Sequence, residues 1–137
     1  MTSTNNPASY VLDSGLARIT LNQPERRNAL NVPLVQALND ALDAAAAEPR
    51  ARVALLSANG PAFCAGMDLK TVALDDPPQA EAFAAMLYAA YRKLLLLPLP
   101  LIAAVDGPAM GGAVGLALAE IRKEERRTRL AVRLMAP

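Results

Sequence analysis

A chain of 137 residues in which 53% of the side chains are hydrophobic can bury the core of one domain, which excludes a disordered tail. It has no histidine and one cysteine, so Ser-His-Asp and Cys-His catalysis within the chain are excluded and a zinc site is disfavoured. The formal net charge of +1 provides no overall field for nucleic acid, and the single cysteine, without an intrachain disulfide partner, indicates a reducing, cytoplasmic environment.

The predicted elements begin with a β-hairpin, because two β-rich segments flank the turn pair Ser14-Gly15. Residues 23–31, QPERRNALN, contain a proline, three charges and two asparagines, which is typical of a loop. A helix is predicted from about Pro33 to just before Pro49. Its apolar residues recur at helical spacing: Leu34, Val35, Leu38, Ala41, Leu42 and Ala45. The first ten residues lack the charged and apolar regions of a signal peptide, so none is expected.

The rest of the chain alternates strands with helices. Residues 52–58 are a short apolar run bounded by charge and by Asn-Gly-Pro, which predicts a buried strand. A proline-rich connector, in which Asp76 or a neighbour could cap a helix, precedes a helix predicted over residues 80–97. Residues 101–105, LIAAV, predict another buried strand, and residues 112–120 predict a glycine-tolerant helix. The most apolar run, residues 94–105, is broken by two prolines and is too short to span a bilayer.

The predicted order is therefore β-β-α-β-α-β-α, an α/β fold with a parallel sheet and right-handed crossovers. In such sheets ligands bind at the carboxyl ends of the strands. Two loops poor in side chains leave predicted strands at that end: FCAGMD at residues 63–68 and GPAMGGA at 107–113. Such loops either pack tightly against their own protein or bring a ligand against the bare backbone. The pattern GGAVG matches neither the dinucleotide nor the P-loop fingerprint.

The chemistry available to these loops is that of backbone N–H groups. The turn at Gly111 and Gly112 precedes a predicted helix, so it presents unpaired N–H groups and the positive end of the helix dipole. A second donor from Gly66 or Met67 would complete a two-donor pocket for an oxygen that gains negative charge, such as a thioester or ester carbonyl becoming an enolate. Asp68 is predicted to bond the backbone of the following turn rather than to take part in the chemistry.

Three segments carry a resemblance to a known family: NQPERRNALN at residues 22–31, FCAGMDLK at 63–70 and IAAVDGPAMGGAVGLALA at 102–119. In this order and spacing they resemble the enoyl-CoA hydratase/isomerase (crotonase) superfamily over about residues 10–119. That is essentially the N-terminal half of such a protein. The resemblance implies a crotonase-like repeated ββα spiral that is truncated here. It divides the chain into a partial acyl-CoA-binding domain, residues 1–119, and an atypical charged tail, residues 120–137.

The resemblance also implies the site residues. The N–H groups of Met67 and Gly112 form the oxyanion hole for an acyl-CoA thioester, with no metal and no cofactor besides the coenzyme A of the substrate. Arg26 and Arg27 are candidates for the CoA phosphates, with an ordinary solvated loop as the alternative. The implied substrate-binding set is Ala65, Gly66, Met67, Asp68, Leu69, Lys70, Gly111, Gly112, Arg26 and Arg27. A full-length parent is expected to form a trimer or a dimer of trimers and to bind neither nucleic acid nor membrane.

The sequence departs from the hydratase pattern at the catalytic carboxylates. Gly115 stands where the first glutamate is expected, and the second belongs to a later segment that the chain does not contain. Glu120 is a weak substitute, because it lies five residues further on, about 140° around a helix. Two interpretations stay open: parent chemistry of hydration or double-bond isomerisation, with an acid from elsewhere, and a non-catalytic acyl-CoA binder or decayed paralogue. The chain by itself is expected to be inactive.

The family pattern ends at Ala119. Residues 120–137 contain six basic and three acidic side chains, so they predict either a continued helix or a frameshifted end of a truncated gene, which we favour. A basic arm for nucleic acid is the weakest interpretation, because aromatic residues are missing from this segment. Without later strands, the outer edge of residues 101–105 is expected to be unpaired.

Overall fold

The computed structural model describes residues 5–73, 75–110 and 133–134. Its elements in chain order are β1 (Ala8–Asp13), β2 (Leu16–Leu21), a single 3-10 turn (Pro24–Arg26), α1 (Val32–Ala47), β3 (Val53–Ala58), α2 (Pro77–Leu96), β4 (Leu101–Val105) and β5 (Arg133–Leu134). Both strands of the predicted hairpin, the first two predicted helices and both later strands are therefore confirmed. The helix predicted over residues 112–120 lies outside the described residues, and the division of the chain at residue 119 stays a prediction.

The five strands form one sheet in the order β1-β2-β3-β4-β5. β1 pairs with β2 in antiparallel orientation through a turn at Ser14 and Gly15, whose φ angles of 50° and 88° are left-handed. β2, β3 and β4 are parallel neighbours, so Leu21 lies beside Ala58 and Ala54 lies beside Leu101. Because parallel neighbours run in one direction, the loops that follow β2, β3 and β4 emerge at the same edge of the sheet.

The core lies on one face of this sheet. Alternate strand residues are buried in one cluster with α1 and α2: Ala17, Ile19, Leu21, Ala54, Leu56, Leu101, Ala103 and Val105. The intervening residues, such as Leu55 and Ile102, are only half-buried. The prediction of fully buried strands is thus correct for one face only. The difference arises because side chains alternate across a strand, and the two described helices pack into the core of one face.

The helix starts follow from local chemistry. At α1 the Asn31 Oδ1 accepts the Leu34 N–H at 3.0 Å, and Pro33 occupies the first turn as predicted. α2 begins at Pro77 rather than at residue 80, which corrects the predicted start. Asp76 occupies the N-cap position, but its side chain forms no capping hydrogen bond. Two prolines in the first turn reduce the need for a cap, because neither has an N–H group to satisfy.

The outer edge of β4 is partly paired, which corrects the expectation of a free edge. Ala104 pairs with Arg133 and Val105 with Leu134 in parallel orientation. No other described residue pairs with this edge. A two-residue contact is too short for a period-two pattern to reveal it, so the charged segment offered no strand signal. The same contact contradicts a helix continuing through residue 134.

Among the helices of the described residues, α1 and α2 included, we find none with the length and apolar character needed to cross a bilayer.

Candidate functional site

Three loops at the carboxyl edge of the sheet are joined by two backbone bridges and the hydrogen bonds around them, which we call the ladder. Cys64 in the loop after β3 forms a parallel bridge with Ala109 in the loop after β4. Leu30, which follows β2, forms a second parallel bridge with Met67. The two small-residue loops predicted to lie together are therefore in direct contact as far as residue 110. The loop that contains the two asparagines is bound to them on the other side.

The contact between the two small-residue loops is made by backbone hydrogen bonds. The N–H groups of Phe63 and Cys64 both donate to the Pro108 carbonyl, at 3.0 and 3.2 Å. The Met110 N–H donates to the Cys64 carbonyl at 3.0 Å. Met110, the residue that precedes the predicted Gly111-Gly112 turn in sequence, therefore lies beside Cys64. Gly111, Gly112 and Gly115 themselves lie outside the described residues.

The loop after β2 is hydrogen-bonded to the other side of residues 65–68. Ala65 donates its N–H to the Arg27 carbonyl at 3.0 Å, and Leu30 donates to the Gly66 carbonyl at 2.7 Å. The Asp68 N–H donates back to the Leu30 carbonyl at 2.9 Å. Leu30 is thus hydrogen-bonded to the residue before Met67 and to the residue after it.

The direction of the Met67 N–H follows from peptide geometry. This N–H and the Gly66 carbonyl belong to one peptide group, and no cis peptide bond occurs among the described residues. In a planar trans peptide the two groups point in opposite directions. Because the carbonyl points at Leu30, the Met67 N–H points away from it, and no described residue accepts its hydrogen bond. The Met67 side chain is 37% exposed.

Gly66 and Gly107 explain two parts of the small-residue pattern. Gly66 has a φ of +89°, a left-handed conformation that other residues adopt at a cost. A Cβ on Gly107 would lie 2.8 Å from the Pro61 carbonyl oxygen, so the two loops could not approach as they do with a larger residue. Tight packing therefore accounts for Gly107, whereas Gly66 serves the turn that directs the Met67 N–H.

Asp68 acts on the turn that follows it, as predicted. Its Oδ1 accepts the Lys70 N–H at 3.1 Å. Its Oδ2 lies 3.7 Å from Nη1 of Arg26, whose side chain is 51% exposed while that of Asp68 is 12% exposed. Arg26 is thus engaged within the protein, and the neighbouring Arg27 is exposed. Of the two predicted phosphate-binding arginines, Arg26 forms an ion pair and Arg27 forms none with any described residue.

Asn28 is the residue of this site that the sequence did not reveal. It is completely buried and adopts a φ of +53°. Its Oδ1 accepts the Gln23 N–H at 2.7 Å, and its Nδ2 donates to the Asn59 and Ala62 carbonyls at 2.9 and 3.1 Å. The only sequence signal was an asparagine in a loop, since asparagine tolerates left-handed backbone better than most residues.

Burial acts on two weakly acidic side chains near the ladder, Cys64 and Tyr91. Burial raises the pKa of the Cys64 thiol, and a hydrogen bond from the Gly66 backbone opposes this only in part. Burial likewise raises the pKa of Tyr91, with a smaller contribution from Cys64. Neither group is an activated nucleophile. Within residues 5–73 and 75–110, no three Cys, Asp or Glu side chains lie close enough together to bind one metal ion.

Two clefts lie elsewhere on the molecule. One, of about 330 Å³, separates β1 from α1 and includes Tyr10 in its lining. The other, of about 300 Å³, lies between the C-terminal halves of α1 and α2. Neither is lined by residues 63–70.

Known relatives match most of the chain, including the loops of the candidate site. The family model for enoyl-CoA hydratase/isomerase matches residues 12–121. An enoyl-CoA isomerase/hydratase of Mycosarcoma maydis is 38% identical over 121 residues, covering 82% of this chain and 44% of the relative. A trans-2-decenoyl-[acyl-carrier-protein] isomerase of Streptococcus mutans is 32% identical over 114 residues, covering 80% of this chain and 43% of the relative.

Solved structures agree with the sequence matches. An enoyl-CoA hydratase from Bacillus anthracis is similar with a TM-score of 0.76 at 32% identity, covering 82% of this chain and 45% of that one. One from Shewanella pealeana has a TM-score of 0.77 at 31% identity, with 82% and 44% covered. The predicted crotonase-like α/β fold is thus confirmed. The chain spans less than half the length of the relatives described here. By its matched residues 12–121, the chain belongs to the enoyl-CoA hydratase/isomerase family.

Proposed function

We propose that this chain contributes the oxyanion-binding half of an acyl-CoA thioester site. In it the Met67 N–H donates to the thioester oxygen, together with the N–H of Gly112. The observation that carries the proposal is the Met67 N–H, which the Leu30–Gly66 hydrogen bond directs away from the ladder and which has no described acceptor. The names of the relatives support the substrate class, since they are hydratases and isomerases of enoyl-CoA or enoyl-carrier-protein thioesters.

The chemical role of the two N–H groups is electrostatic. Hydration or isomerisation of an enoyl thioester passes through a state in which the carbonyl oxygen gains enolate character. Donors that are already oriented stabilise this charge without reorganising, and the loss of one such donor typically costs about 3–4 kcal/mol of barrier. The ladder supplies that orientation at Met67, because its neighbours are hydrogen-bonded on both sides.

The remaining candidate residues differ in whether their polar groups are already bonded within the protein. Ala65 donates its N–H to Arg27, so a ligand contact at Ala65 falls to its carbonyl oxygen. Leu69 is 71% exposed and Lys70 is exposed, so both are free to lie along the pantetheine or nucleotide. Arg27 is the better candidate for a CoA phosphate, because Arg26 is paired with Asp68.

A second candidate is a non-catalytic acyl-CoA binder. It is favoured by Gly115 at the position where the resemblance places the first glutamate. Asp68 is a poor replacement, because its Oδ1 accepts the Lys70 N–H and its Oδ2 lies 3.7 Å from Nη1 of Arg26. The trimer or dimer of trimers expected for a full-length parent stays a prediction.

The binding test removes the Met67 N–H alone. Replacing Met67 by the corresponding α-hydroxy acid turns that amide into an ester, and the same replacement at Ser14, which is exposed in the hairpin turn, is the matched control. Butyryl-CoA binding to the chain is then measured by calorimetry. We expect the ester at Met67 to weaken binding by about tenfold or more and the ester at Ser14 to leave it unchanged. Equal affinities for both esters would contradict the role of Met67.

The catalytic test separates the two candidates. In a full-length parent, turnover of crotonyl-CoA or of a 3-enoyl-CoA supports the enzyme. Butyryl-CoA binding without turnover of either substrate supports the binder. The chain alone is expected to show no efficient turnover, because the general acid–base step contributes about 10²–10⁴ in rate.

A further inference from the structure

Asn28 occupies a different position from the other buried asparagines among the described residues. Asn31 caps α1, and Asn39 donates to the Val35 and Met86 carbonyls and so connects the two helices. Asn28 lies between the loops of the candidate site. We infer that Asn28 is a positioning residue that holds the Met67 N–H in the direction in which it meets a thioester oxygen; this inference rests on the proposed function.

The Asn28 amide connects two loops through both of its ends. The Oδ1 accepts from Gln23, which follows β2, and the Nδ2 donates to Asn59 and Ala62, which follow β3. The partners are five, 31 and 34 residues away in sequence. The Asn28 side chain is completely buried, and its hydrogen bond to Ala62 is buried at both ends, whereas those to Gln23 and Asn59 are part-buried. Loss of the side chain therefore leaves the buried Ala62 carbonyl without this donor, which is costly.

The Asn28 hydrogen bonds influence the direction of the Met67 N–H through the backbone. Leu30 lies two residues after Asn28 and donates to the Gly66 carbonyl at 2.7 Å, while Ala62 lies four residues before Gly66. Asn28 therefore anchors the two segments whose relative position aligns the Leu30 N–H with that carbonyl. If the segments shift, the carbonyl turns, and the Met67 N–H turns with it because both belong to one rigid plane.

Substitution of Asn28 by glycine tests the role of the side chain separately from that of the backbone conformation. Asn28 has a φ of +53°, which glycine adopts without strain, so Asn28→Gly removes the three hydrogen bonds and keeps the turn accessible. Ser14→Gly is the matched control. Ser14 has a φ of 50° and is exposed in the hairpin turn, away from the ladder. Both variants add the same freedom to the unfolded chain.

The first measurement is amide hydrogen exchange in the chain without ligand. In Asn28→Gly we expect the amides of Leu30 and Asp68 to exchange about tenfold faster or more relative to Ile19 and Leu56 in the sheet. In Ser14→Gly that ratio should equal the wild-type ratio. A uniform loss of protection in Asn28→Gly, with the ratio unchanged, would overturn the inference, because Asn28 would then contribute only to global stability.

The second measurement is the infrared carbonyl stretch of bound butyryl-CoA labelled with ¹³C at the thioester carbon. A hydrogen bond from Met67 lowers this frequency, and we expect Asn28→Gly to reduce the shift by the share that Met67 contributes, while Ser14→Gly retains the whole shift. An unaltered shift in Asn28→Gly would overturn the inference. If the wild-type chain does not bind the thioester, the proposed function fails, and the exchange ratio still decides whether Asn28 orders the ladder.

Discussion

The Leu30 amide nitrogen lies 2.7 Å from the Gly66 carbonyl oxygen, and this hydrogen bond determines the direction of the next N–H along the chain. The two residues are 36 positions apart. One belongs to a loop after β2 and the other to the loop after β3, so parallel pairing of these strands is what brings them together. The candidate donor is thus oriented by the sheet rather than by its own segment.

Gly66→Ala should weaken ligand binding more than a matched glycine substitution elsewhere. Alanine at a φ of +89° is strained by about 1 kcal/mol or more, and the peptide can relieve the strain only by turning its carbonyl away from Leu30. Gly15→Ala is the control, because Gly15 has a φ of +88° in the hairpin. We expect similar drops in melting temperature for both variants and reduced butyryl-CoA affinity for Gly66→Ala alone. Equal affinities would show that Gly66 has no role at the site.

Asp68→Asn and Asp68→Ala should differ in their effect on stability. Asparagine keeps an oxygen that accepts the Lys70 N–H and loses only the ion pair with half-exposed Arg26, so we expect a change below about 0.5 kcal/mol. Alanine also loses the capping bond and should cost about 1 kcal/mol. Urea unfolding measures both. Equal costs would mean that the ion pair, not the cap, stabilises the turn.

The single thiol should make stability fall at alkaline pH. Burial raises the pKa of Cys64 in the folded state, whereas the thiol of the unfolded chain has a pKa of about 8.5. Below the unfolded pKa both states hold the proton, so this contribution is complete there. It is lost as the pH rises from the unfolded pKa through the folded pKa, because the unfolded state then releases a proton that the folded state retains.

The measurement compares the free energy of unfolding between about pH 7 and pH 9.5 with that of Cys64→Ala. We expect the variant to be less stable at neutral pH and to show a smaller loss between the two pH values. Parallel profiles for the two proteins would refute the assignment to Cys64. The tyrosines with raised pKa values contribute only at higher pH.

Tyr10→Phe should stabilise the protein. The Tyr10 hydroxyl is buried and forms no hydrogen bond with any described residue, and burial raises the pKa of Tyr10. A buried hydroxyl without a hydrogen bond destabilises the folded state, so we expect its removal to raise the free energy of unfolding by about 0.5–1 kcal/mol. Tyr88→Phe is the matched control, because Tyr88 is 70% exposed and should be neutral. A loss of stability in Tyr10→Phe by thermal unfolding would show that the hydroxyl is hydrogen-bonded in solution.

The sequence by itself determined the elements whose signals are local. The turn pair Ser14-Gly15 defines the hairpin, and Asn31 with Pro33 defines the start of α1, because caps and turns act over a few residues. Alternation of apolar strands and helices determined the α/β class. The position of the Met67 segment could be predicted too, since parallel strands place their following loops at one edge. The start of α2 was displaced by three residues because prolines can themselves open a helix.

Only the tertiary structure decided which distant groups meet. Asn28 bonds to carbonyls 31 and 34 residues away, and no periodicity records such a contact. The same holds for the Tyr10 hydroxyl, which is buried with no partner among the described residues, and for the pairing of Arg133–Leu134 with β4. Arg26 looked like its neighbour Arg27 until the fold placed Asp68 beside it. The physical reason is common to all four: hydrogen bonding, burial and charge pairing depend on distances in space, which follow from how the strands pair and the loops close.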